Sequence, residues 1–351
     1  MILSSTDKPR LLFITQAVDE RGPVLGFVVG WLRAFSRAFS VRALCLRKGA
    51  HNLDLVGVPV DSLGKERGGN RFLYALRFIR YIVRNRREYD AVFVHMNPEY
   101  VILGAIFWRL TGKRVALWYN HTKGGFRLRL AIMLSDKVFH TSPYSASARS
   151  EKAVRMPAGI DTALFTPNAT VRSARTILFL GRIAPVKGVH ILVEAARLLH
   201  SQGEDFRLVV VGDARLEDKA YYERLKNTLR PVIEAGKAEL HSAVSNHDAV
   251  RFFQSADVFV NLTPAGNYDK TVLEAAASGA LPLVSSKAFI DCFPPACFFR
   301  EDDSADLAEK LKTFFAIPRR NRDVVAAEAR SYVVETHDIA ILVKSIAQSL
   351  S

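Results

Sequence analysis

Short apolar runs alternate with longer helical segments along most of the chain, and this alternation limits the fold more than any other feature. In the first half the runs are RLLFIT, VRALCL, DAVFVHM, RVALWYNH, DKVFHTS and AVRMP; in the second half they are TILFLG, FRLVVVG, AELH, ADVFVNL and LPLVSS. Apolar strands that alternate with helices are typical of parallel sheets covered on both faces. The pattern restarts after the loop GIDTALFTPNATVRSAR, which predicts an α/β protein of two doubly wound, Rossmann-like parallel-sheet domains.

The length supports the same division. A chain of 351 residues, 49% apolar and 24% charged, is globular and long enough for two domains. We expect a first domain over residues 1–165, a second over 166–330, and a C-terminal helix over 331–351 that packs back towards the first domain. No apolar run reaches the ~18 residues of a membrane span, and the start lacks the features of a signal peptide. Three sparse cysteines indicate reduced thiols, so a cytoplasmic location is expected.

Positive charge is concentrated in the first half. Residues 1–170 hold 26 Lys/Arg and 12 Asp/Glu, whereas residues 171–351 hold 23 of each. The first half therefore carries the whole excess of +14. Such an excess favours an anionic partner: phospholipid headgroups, a phosphorylated acceptor or nucleic acid.

The segment RFLYALRFIRYIVRNRR contains much of this charge. Helical spacing places Arg77, Arg80, Arg84 and Arg87 on one face. The residues expected to face the core are Leu73, Leu76, Ile79 and Val83. One interpretation is a basic amphipathic helix that lies on the anionic inner face of a membrane. The other is a core-packed helix with a solvated arginine face.

The stretch TPAGNYDKTVLEAAASGALPLVSS has one carboxylate, Glu274, in a strongly apolar run. A buried carboxylate needs a partner. We predict a helix from Lys270 to Ser278, with Asp269 as N-cap, whose first residues, Lys270 and Thr271, form an anion site. Glu274, one turn in, is placed to accept hydrogen bonds from the two hydroxyls of a ribose. A salt bridge to an arginine, or an exposed helix edge, is the structural alternative.

A second candidate lies in FLGRIAPVKG, at the end of the first strand of the second domain. Arg182 and Lys187 share this loop. Arginine can bind two phosphate oxygens and lysine adds a point charge, so the pair suits a diphosphate. Taken alone, two such cations are more often simply solvated.

Together, FLGRIAPVKGVHILVEAARLL, LVVVGDA, SADVFVNLTP and TVLEAAASGALPLVSS, in this order and spacing, resemble the nucleotide-sugar half of family 4 retaining glycosyltransferases, which have the GT-B fold. MPAGIDTALFTP resembles the interdomain signature of that family, and ALWYNHT with DKVFHTSPYSAS resembles the end of its acceptor domain. The resemblance is specific over residues 90–290 and looser before them.

The resemblance implies roles for individual residues. Arg182 and Lys187 match the pair that holds the donor diphosphate, and Glu274 matches the ribose glutamate. Gly26 matches a loop glycine beside the phosphate, and His121 a histidine that reaches the donor sugar from the acceptor domain. The segment HSAV, which ends at Val244, matches the region beside the nucleobase.

One position departs from the family. Eight residues before the ribose glutamate the family has a second glutamate, which contacts the sugar hydroxyls, and here that residue is Gly266. Asn267 and Asp269 are polar candidates for the same contact. The diphosphate site is therefore predicted to be intact, with a rebuilt sugar pocket.

The resemblance implies a retaining, hexosyltransferase-type enzyme that uses no metal or other cofactor and transfers a sugar from a nucleotide donor to a lipid-linked or cell-surface polysaccharide acceptor. In that reaction Arg182, Lys187 and the helix N-terminus stabilise the departing nucleoside diphosphate. Two alternatives stay open: a sugar-nucleotide epimerase of the same fold, and a non-catalytic sugar-nucleotide-binding protein. No motif supports nucleic-acid binding.

Overall fold

A computed structural model describes residues 8–22, 24–264 and 266–350. Residues 1–7, the start of the predicted first domain, lie outside these ranges, as do Pro23 and Ala265. The strands are β1 (Arg10–Val18), β2 (Ser40–Lys48), β3 (Val60–Ser62), β4 (Ala91–His95), β5 (Arg114–Trp118), β6 (Lys137–His140), β7 (Ala153–Arg155), β8 (Thr176–Leu180), β9 (Arg207–Val211), β10 (Ala238–His241), β11 (Val258–Asn261) and β12 (Leu281–Val284).

The helices follow the strands in alternation. They are α1 (Phe27–Ala38), α2 (Arg71–Arg84), α3 (Pro98–Leu110), α4 (Phe126–Leu134), α5 (Val189–Ser201), α6 (Lys219–Glu234), α7 (Asn246–Ser255), α8 (Lys270–Ala277), α9 (Ser304–Ala316), α10 (Arg319–His337) and α11 (Ile339–Leu350). In the described ranges, no helix combines the length and apolar character that a membrane span requires.

The chain divides into two compact units. The first contains residues 1–159 and 339–351, and the second contains residues 160–338. The predicted boundary after residue 165 is therefore too late, because the chain already enters the second unit at Ile160. The boundary at residue 331 is too early, since α10 continues to His337 and the extended backbone of Asp338 separates it from α11.

The first unit is built on a seven-stranded parallel sheet in the order β3-β2-β1-β4-β5-β6-β7. Successive residues of β1 point to opposite faces, so Phe13 packs in one core layer and Ile14 in the other. Helices α1 and α11 cover the first face, where Leu342 of α11 is fully buried. Helices α2, α3 and α4 cover the second face.

The second unit is built on a five-stranded parallel sheet in the order β10-β9-β8-β11-β12. The predicted fold class is confirmed: both sheets are parallel and have helices between their strands. Of the strands, β3 was not predicted, because a three-residue edge strand with the sequence VDS leaves no apolar run to detect. The strand order reverses between β8 and β11, and the loops after these strands open at the place where doubly wound sheets bind ligands.

Helix α2 has a different orientation from the predicted one. Phe78 and Ile82 point into the core, while Leu76, Ile79 and Val83, which were assigned to the core, are exposed. The assignment was wrong because apolar residues lie on every side of this helix, so periodicity alone does not select a face. Hydrogen bonds to residues outside the helix select the buried face instead. In one of them, the Arg77 guanidinium donates to the Leu63 carbonyl oxygen (2.7 Å), so Arg77 does not share the predicted arginine face.

Helix α8 is short but firmly held. Residues from Val272 to Ala277 are buried, and the carbonyl groups at its C-terminal end accept hydrogen bonds from arginines. Arg330 of α10 donates to the Ala277 carbonyl oxygen, and Arg172 donates to that of Gly279. Cations at a helix C-terminus satisfy the last carbonyl groups and oppose the negative end of the helix dipole. These contacts fix the helix that carries Glu274.

A buried ion pair attaches the start of α10 to the sheet. Arg322 donates to Asp257, which directly precedes β11, and both side chains are buried. Asp257 also accepts from the backbone N–H of Arg175 (3.1 Å). Removal of one partner from such a pair leaves a buried charge without compensation.

We expect Arg322→Met to lower the free energy of unfolding of the second unit by about 3–5 kcal/mol. Urea denaturation of the full chain measures the loss as a shift in the midpoint. Arg320→Met is the matched control, because Arg320 is exposed on the same helix. Equal midpoints for the two variants would contradict a stabilising role for the pair.

Candidate functional site

The loop after β8 carries the two predicted cations and is closely packed. Pro185–Lys187 form a single 3-10 turn, and Gly188 follows with a left-handed φ of 65°. A Cβ atom at Gly188 would lie 2.9 Å from the Leu262 carbonyl oxygen, so only glycine allows the loop to approach the end of β11 this closely. Arg182 lies half-buried in this loop, and its Nε is a buried donor without a hydrogen-bond partner.

An ion pair joins this loop to the start of α8. Lys187 Nζ lies 2.7 Å from Asp269 Oδ2, and the same oxygen accepts hydrogen bonds from Asn261 and Thr263. Burial would raise the pKa of the Asp269 carboxyl, but the charge of Lys187 and these hydrogen bonds outweigh burial, so the pKa is below its ordinary value. Asp269 occupies the N-cap position, yet its side chain makes no capping hydrogen bond; it pairs with Lys187 instead.

Glu274 is 4% exposed, which excludes the alternative of an exposed helix edge. Its Oε1 accepts a hydrogen bond from Asn246 Nδ2 (3.1 Å), and its charged neighbour is Lys270, one turn earlier on α8. Burial raises the pKa of Glu274 to about 7, against the opposing effect of Lys270. Burial likewise places the pKa of Lys270 well below its ordinary value. One carboxylate and one ammonium group are thus held near each other in a desolvated place.

The sequence did not identify Asn246, which supplies the hydrogen bond to Glu274. It is the first residue of α7, whose N-cap is Ser245. The Ser245 hydroxyl accepts from the backbone N–H of Asp248 and so fixes the start of the helix. The available signal was a serine followed three residues later by an acidic residue, which marks a helix start and places Asn246 in the first turn of α7.

Other predicted residues of the second unit surround these groups. Val244 is half-buried in the loop after β10, and Thr271 is half-buried in the first turn of α8. Asn267 donates to the Pro264 carbonyl oxygen within its own loop (3.3 Å). Gly266 has a φ of 92°, a conformation that a glutamate would adopt only with strain. The backbone at the position of the missing glutamate is therefore built for glycine.

Two predicted residues lie in the first unit. Gly26 precedes α1, in the loop after β1, with an ordinary helical conformation, so its backbone does not require glycine. His121 follows β5 and packs edge-on against Tyr119. Partial desolvation lowers the pKa of His121, although much of the side chain is exposed. The contact of either residue with a donor stays a prediction.

The arrangement in the second unit suits an anionic ligand with a polar extension. Two cations, Arg182 and Lys187, lie at the point where the strand order reverses, with the start of α8 beside Lys187 and Glu274 one turn further. Over the described ranges, no group of three or more His, Cys, Asp or Glu side chains is placed to hold a metal ion.

Comparison with known proteins agrees with this geometry. Residues 174–316 match the family model of glycosyl transferases group 1. A D-inositol 3-phosphate glycosyltransferase of Arthrobacter sp. (strain FB24) is 31% identical over 140 residues, 37% of this chain and 33% of that protein. The putative colanic acid biosynthesis glycosyltransferase WcaL of Escherichia coli (strain K12) is 24% identical over 213 residues, 57% of this chain and 51% of that protein. The chain thus spans between a third and about half of the length of these relatives.

Solved structures extend the similarity to the whole chain. Anabaena Alr3699/HepE in complex with UDP has a TM-score of 0.79 at 17% identity, covering 97% of this chain and 99% of that one. Sucrose-phosphate synthase from Thermosynechococcus elongatus has a TM-score of 0.75 at 16% identity, covering 96% and 98%. Residues 174–316 are therefore similar to glycosyl transferases group 1, and the chain as a whole has the two-domain α/β fold of these solved GT-B structures.

Proposed function

We propose that this protein is a nucleotide-sugar-dependent glycosyltransferase of the retaining, hexosyltransferase type, which acts without a metal or other cofactor on a lipid-linked or cell-surface polysaccharide acceptor. The observation that carries the proposal is the meeting of Arg182, Lys187 and the start of α8 at the switch point of the second sheet. This site lies in the part of the chain that matches glycosyl transferases group 1.

The donor diphosphate binds at Arg182 and Lys187. The buried Nε of Arg182 lacks an acceptor, and a phosphate oxygen supplies one. Lys187 is held by Asp269, so its ammonium group is already oriented before the donor arrives. The ion pair reduces the net positive charge of the empty loop and keeps the lysine side chain in one conformation.

The ribose binds at Glu274. Asn246 holds one carboxylate oxygen and so fixes the plane of the carboxylate. Vicinal hydroxyls then donate to this carboxylate, and each hydrogen bond to the ionised group is stronger than one to a neutral acid. The structural alternative, a salt bridge to an arginine, is not the contact that the structure gives Glu274; its protein partners here are Asn246 and Lys270.

The reaction exchanges one bond of the sugar anomeric carbon for another. The bond to the diphosphate oxygen breaks, the bond to the acceptor hydroxyl oxygen forms, and nucleoside diphosphate and a proton are released. Negative charge grows on the diphosphate in the transition state, and Arg182, Lys187 and the first N–H groups of α8 oppose it. The proposal assigns to these groups the charge stabilisation that a metal supplies in other enzymes.

The sugar pocket is the part that differs most. Gly266 replaces a side chain that contacts sugar hydroxyls in the family that the sequence resembles, and its φ of 92° favours glycine. Asn267 and Asp269 are the nearby polar groups, but both already bond within the protein. We infer a donor sugar recognised by fewer side-chain contacts on this side.

The first unit is proposed to bind the acceptor. This unit, residues 1–159 and 339–351, contains 27 Lys/Arg and 11 Asp/Glu, a net charge of +16. An anionic membrane surface is the proposed partner of this charge, since such a surface presents a lipid-linked acceptor. Gly26 and His121 are proposed to contact the donor from this unit.

The diphosphate assignment predicts that Arg182→Ala and Lys187→Ala each weaken UDP binding roughly 10- to 100-fold, the effect of losing one hydrogen bond to a charged group. Isothermal titration measures the affinity, and circular dichroism verifies folding. Arg197→Ala is the control, because Arg197 lies exposed on α5. Folded variants with unchanged affinity would remove the diphosphate from this loop.

The ribose assignment predicts that Glu274→Gln weakens UDP binding and weakens binding of 2′-deoxy-UDP much less, because only the 3′-hydroxyl contact is left to lose. In the unaltered protein, the preference for UDP over 2′-deoxy-UDP should increase as the pH rises through about 7, because Glu274 then loses its proton and becomes the better acceptor. Titrations across this pH range measure the ratio. Equal losses for both nucleotides would assign Glu274 a structural role only.

The proposed reaction is tested with UDP-glucose and related sugar nucleotides, with and without lipid-linked glycan acceptors in vesicles, and with EDTA present. We expect nucleoside diphosphate release that requires an acceptor and survives EDTA. Conversion of the donor into another sugar nucleotide without acceptor would establish the epimerase alternative. Binding of UDP without turnover of any donor would establish a non-catalytic protein.

A further inference from the structure

An apolar row runs along the exposed side of α2. Phe72, Leu76, Ile79 and Val83 recur at steps of four, three and four residues, so they share one face of the helix. Phe72 is 88% exposed and Leu76 67% exposed. The opposite side of the helix packs on the sheet through Phe78 and Ile82.

The neighbouring helix carries a second row. Leu103, Ile106 and Leu110 of α3 recur at steps of three and four residues, and Ile106 and Leu110 are 77% and 82% exposed. Helices α2 and α3 pack against each other, where Phe78 contacts Tyr100 and Trp108. Because both helices cover the same face of the first sheet, both rows face away from it. Isolated exposed apolar residues are ordinary, but two aligned rows on adjacent helices mark a binding surface.

Positive charge predominates around these rows, and the one acidic residue of α3, Glu99, is paired with Arg127. Residues 71–87 and 100–134 contain twelve Lys/Arg and no Asp/Glu. Arg80, Arg84 and Arg87 are exposed beside the apolar row of α2, and Arg109 is exposed on α3. Apolar side chains flanked by arginines are the pattern of a helix that lies in the interface of an anionic membrane.

We propose that the two rows, together called the α2–α3 face, insert into the headgroup region of an anionic bilayer while the flanking arginines bind lipid phosphates. The apolar rows supply affinity that salt does not screen, and the arginines supply affinity that salt does screen. This inference rests on the proposed function in one respect: a lipid-linked acceptor gives the protein a reason to bind a membrane. The α2–α3 face itself belongs to the first unit and contains none of the proposed donor-binding residues.

The charge pattern also selects the partner. A second copy of the chain would bring the same excess of arginines together, and like charges at an interface are destabilising. An anionic bilayer offers both an apolar layer for Leu76 and Ile106 and a plane of phosphates for Arg80 and Arg84. Complementarity of both kinds favours the membrane over a dimer.

The test is co-sedimentation of the full chain with phosphatidylcholine vesicles, with and without phosphatidylglycerol. We expect binding only to the anionic vesicles. Leu76→Asn with Ile106→Asn should reduce the partition coefficient at least about tenfold, at low and at high salt. Arg80→Gln, Arg84→Gln and Arg87→Gln together should reduce it on the order of a hundredfold at low salt and less at high salt. All of the substituted side chains are exposed; Ile79 and Val83, which are less exposed, are left unchanged.

The matched control is Leu55→Asn with Leu216→Asn, which removes two equally exposed leucines outside the α2–α3 face. This variant should bind vesicles as the unaltered protein does. UDP affinity is measured in parallel and should be equal in all variants, so loss of the membrane surface is distinguished from failure of the donor site. Absence of binding to anionic vesicles at low salt, or equal losses in the control, would overturn the proposal. So would a dimer in sedimentation equilibrium that only the Leu76/Ile106 variant dissociates.

Discussion

The ion pair between Lys187 and Asp269 joins the two loops on which the candidate site depends. One loop follows β8 and the other follows β11, the strands on either side of the switch point. The pair is partly buried, and Asn261, at the end of β11, and Thr263 donate to the carboxylate oxygen that Lys187 contacts. Without the pair, each loop would hold its polar groups independently. With it, the lysine, the start of α8 and the loop before that helix form one connected group.

Helix α8, which begins beside this ion pair, is held at both ends and carries two buried charged residues between them. Its C-terminal carbonyl groups are held by Arg330 and Arg172, and its N-terminal end is held through Asp269. Between these ends, Lys270 and Glu274 are desolvated. Burial lowers the pKa of Lys270 and raises the pKa of Glu274, so it favours the neutral form of each side chain. A desolvated acid and base cost free energy in the empty protein. We propose that the hydroxyls of a bound ribose offset part of this cost by donating hydrogen bonds to Glu274.

Much of the fold could be predicted from the sequence because parallel strands buried on both faces must be apolar throughout, as in RLLFIT and TILFLG. The edge strand β3 has no such requirement and left no signal. In the site, Arg182, Lys187 and Glu274 were identifiable as charges at strand ends or in apolar runs. Asn246 was not, since a helix-starting asparagine is ordinary in sequence and only the tertiary structure brings it to Glu274. Likewise, aspartate is a residue type that favours the N-cap position, and the sequence predicted this role for Asp269. In the structure, however, its carboxylate forms an ion pair with Lys187 and makes no capping hydrogen bond.

Helix α2 shows why the face of a helix can escape sequence analysis and still be informative. Its apolar residues exceed what one buried stripe requires, so two faces qualify for the core. Anchors outside the helix settle the choice: Leu63 binds Arg77, and Asp61 binds Tyr81 (2.8 Å). The exposed face of α2 is therefore apolar although its residues do not pack in the core of the first unit. An apolar face that the fold does not use, within a unit of balance +16, is the kind of surface that we propose binds a partner both apolar and anionic.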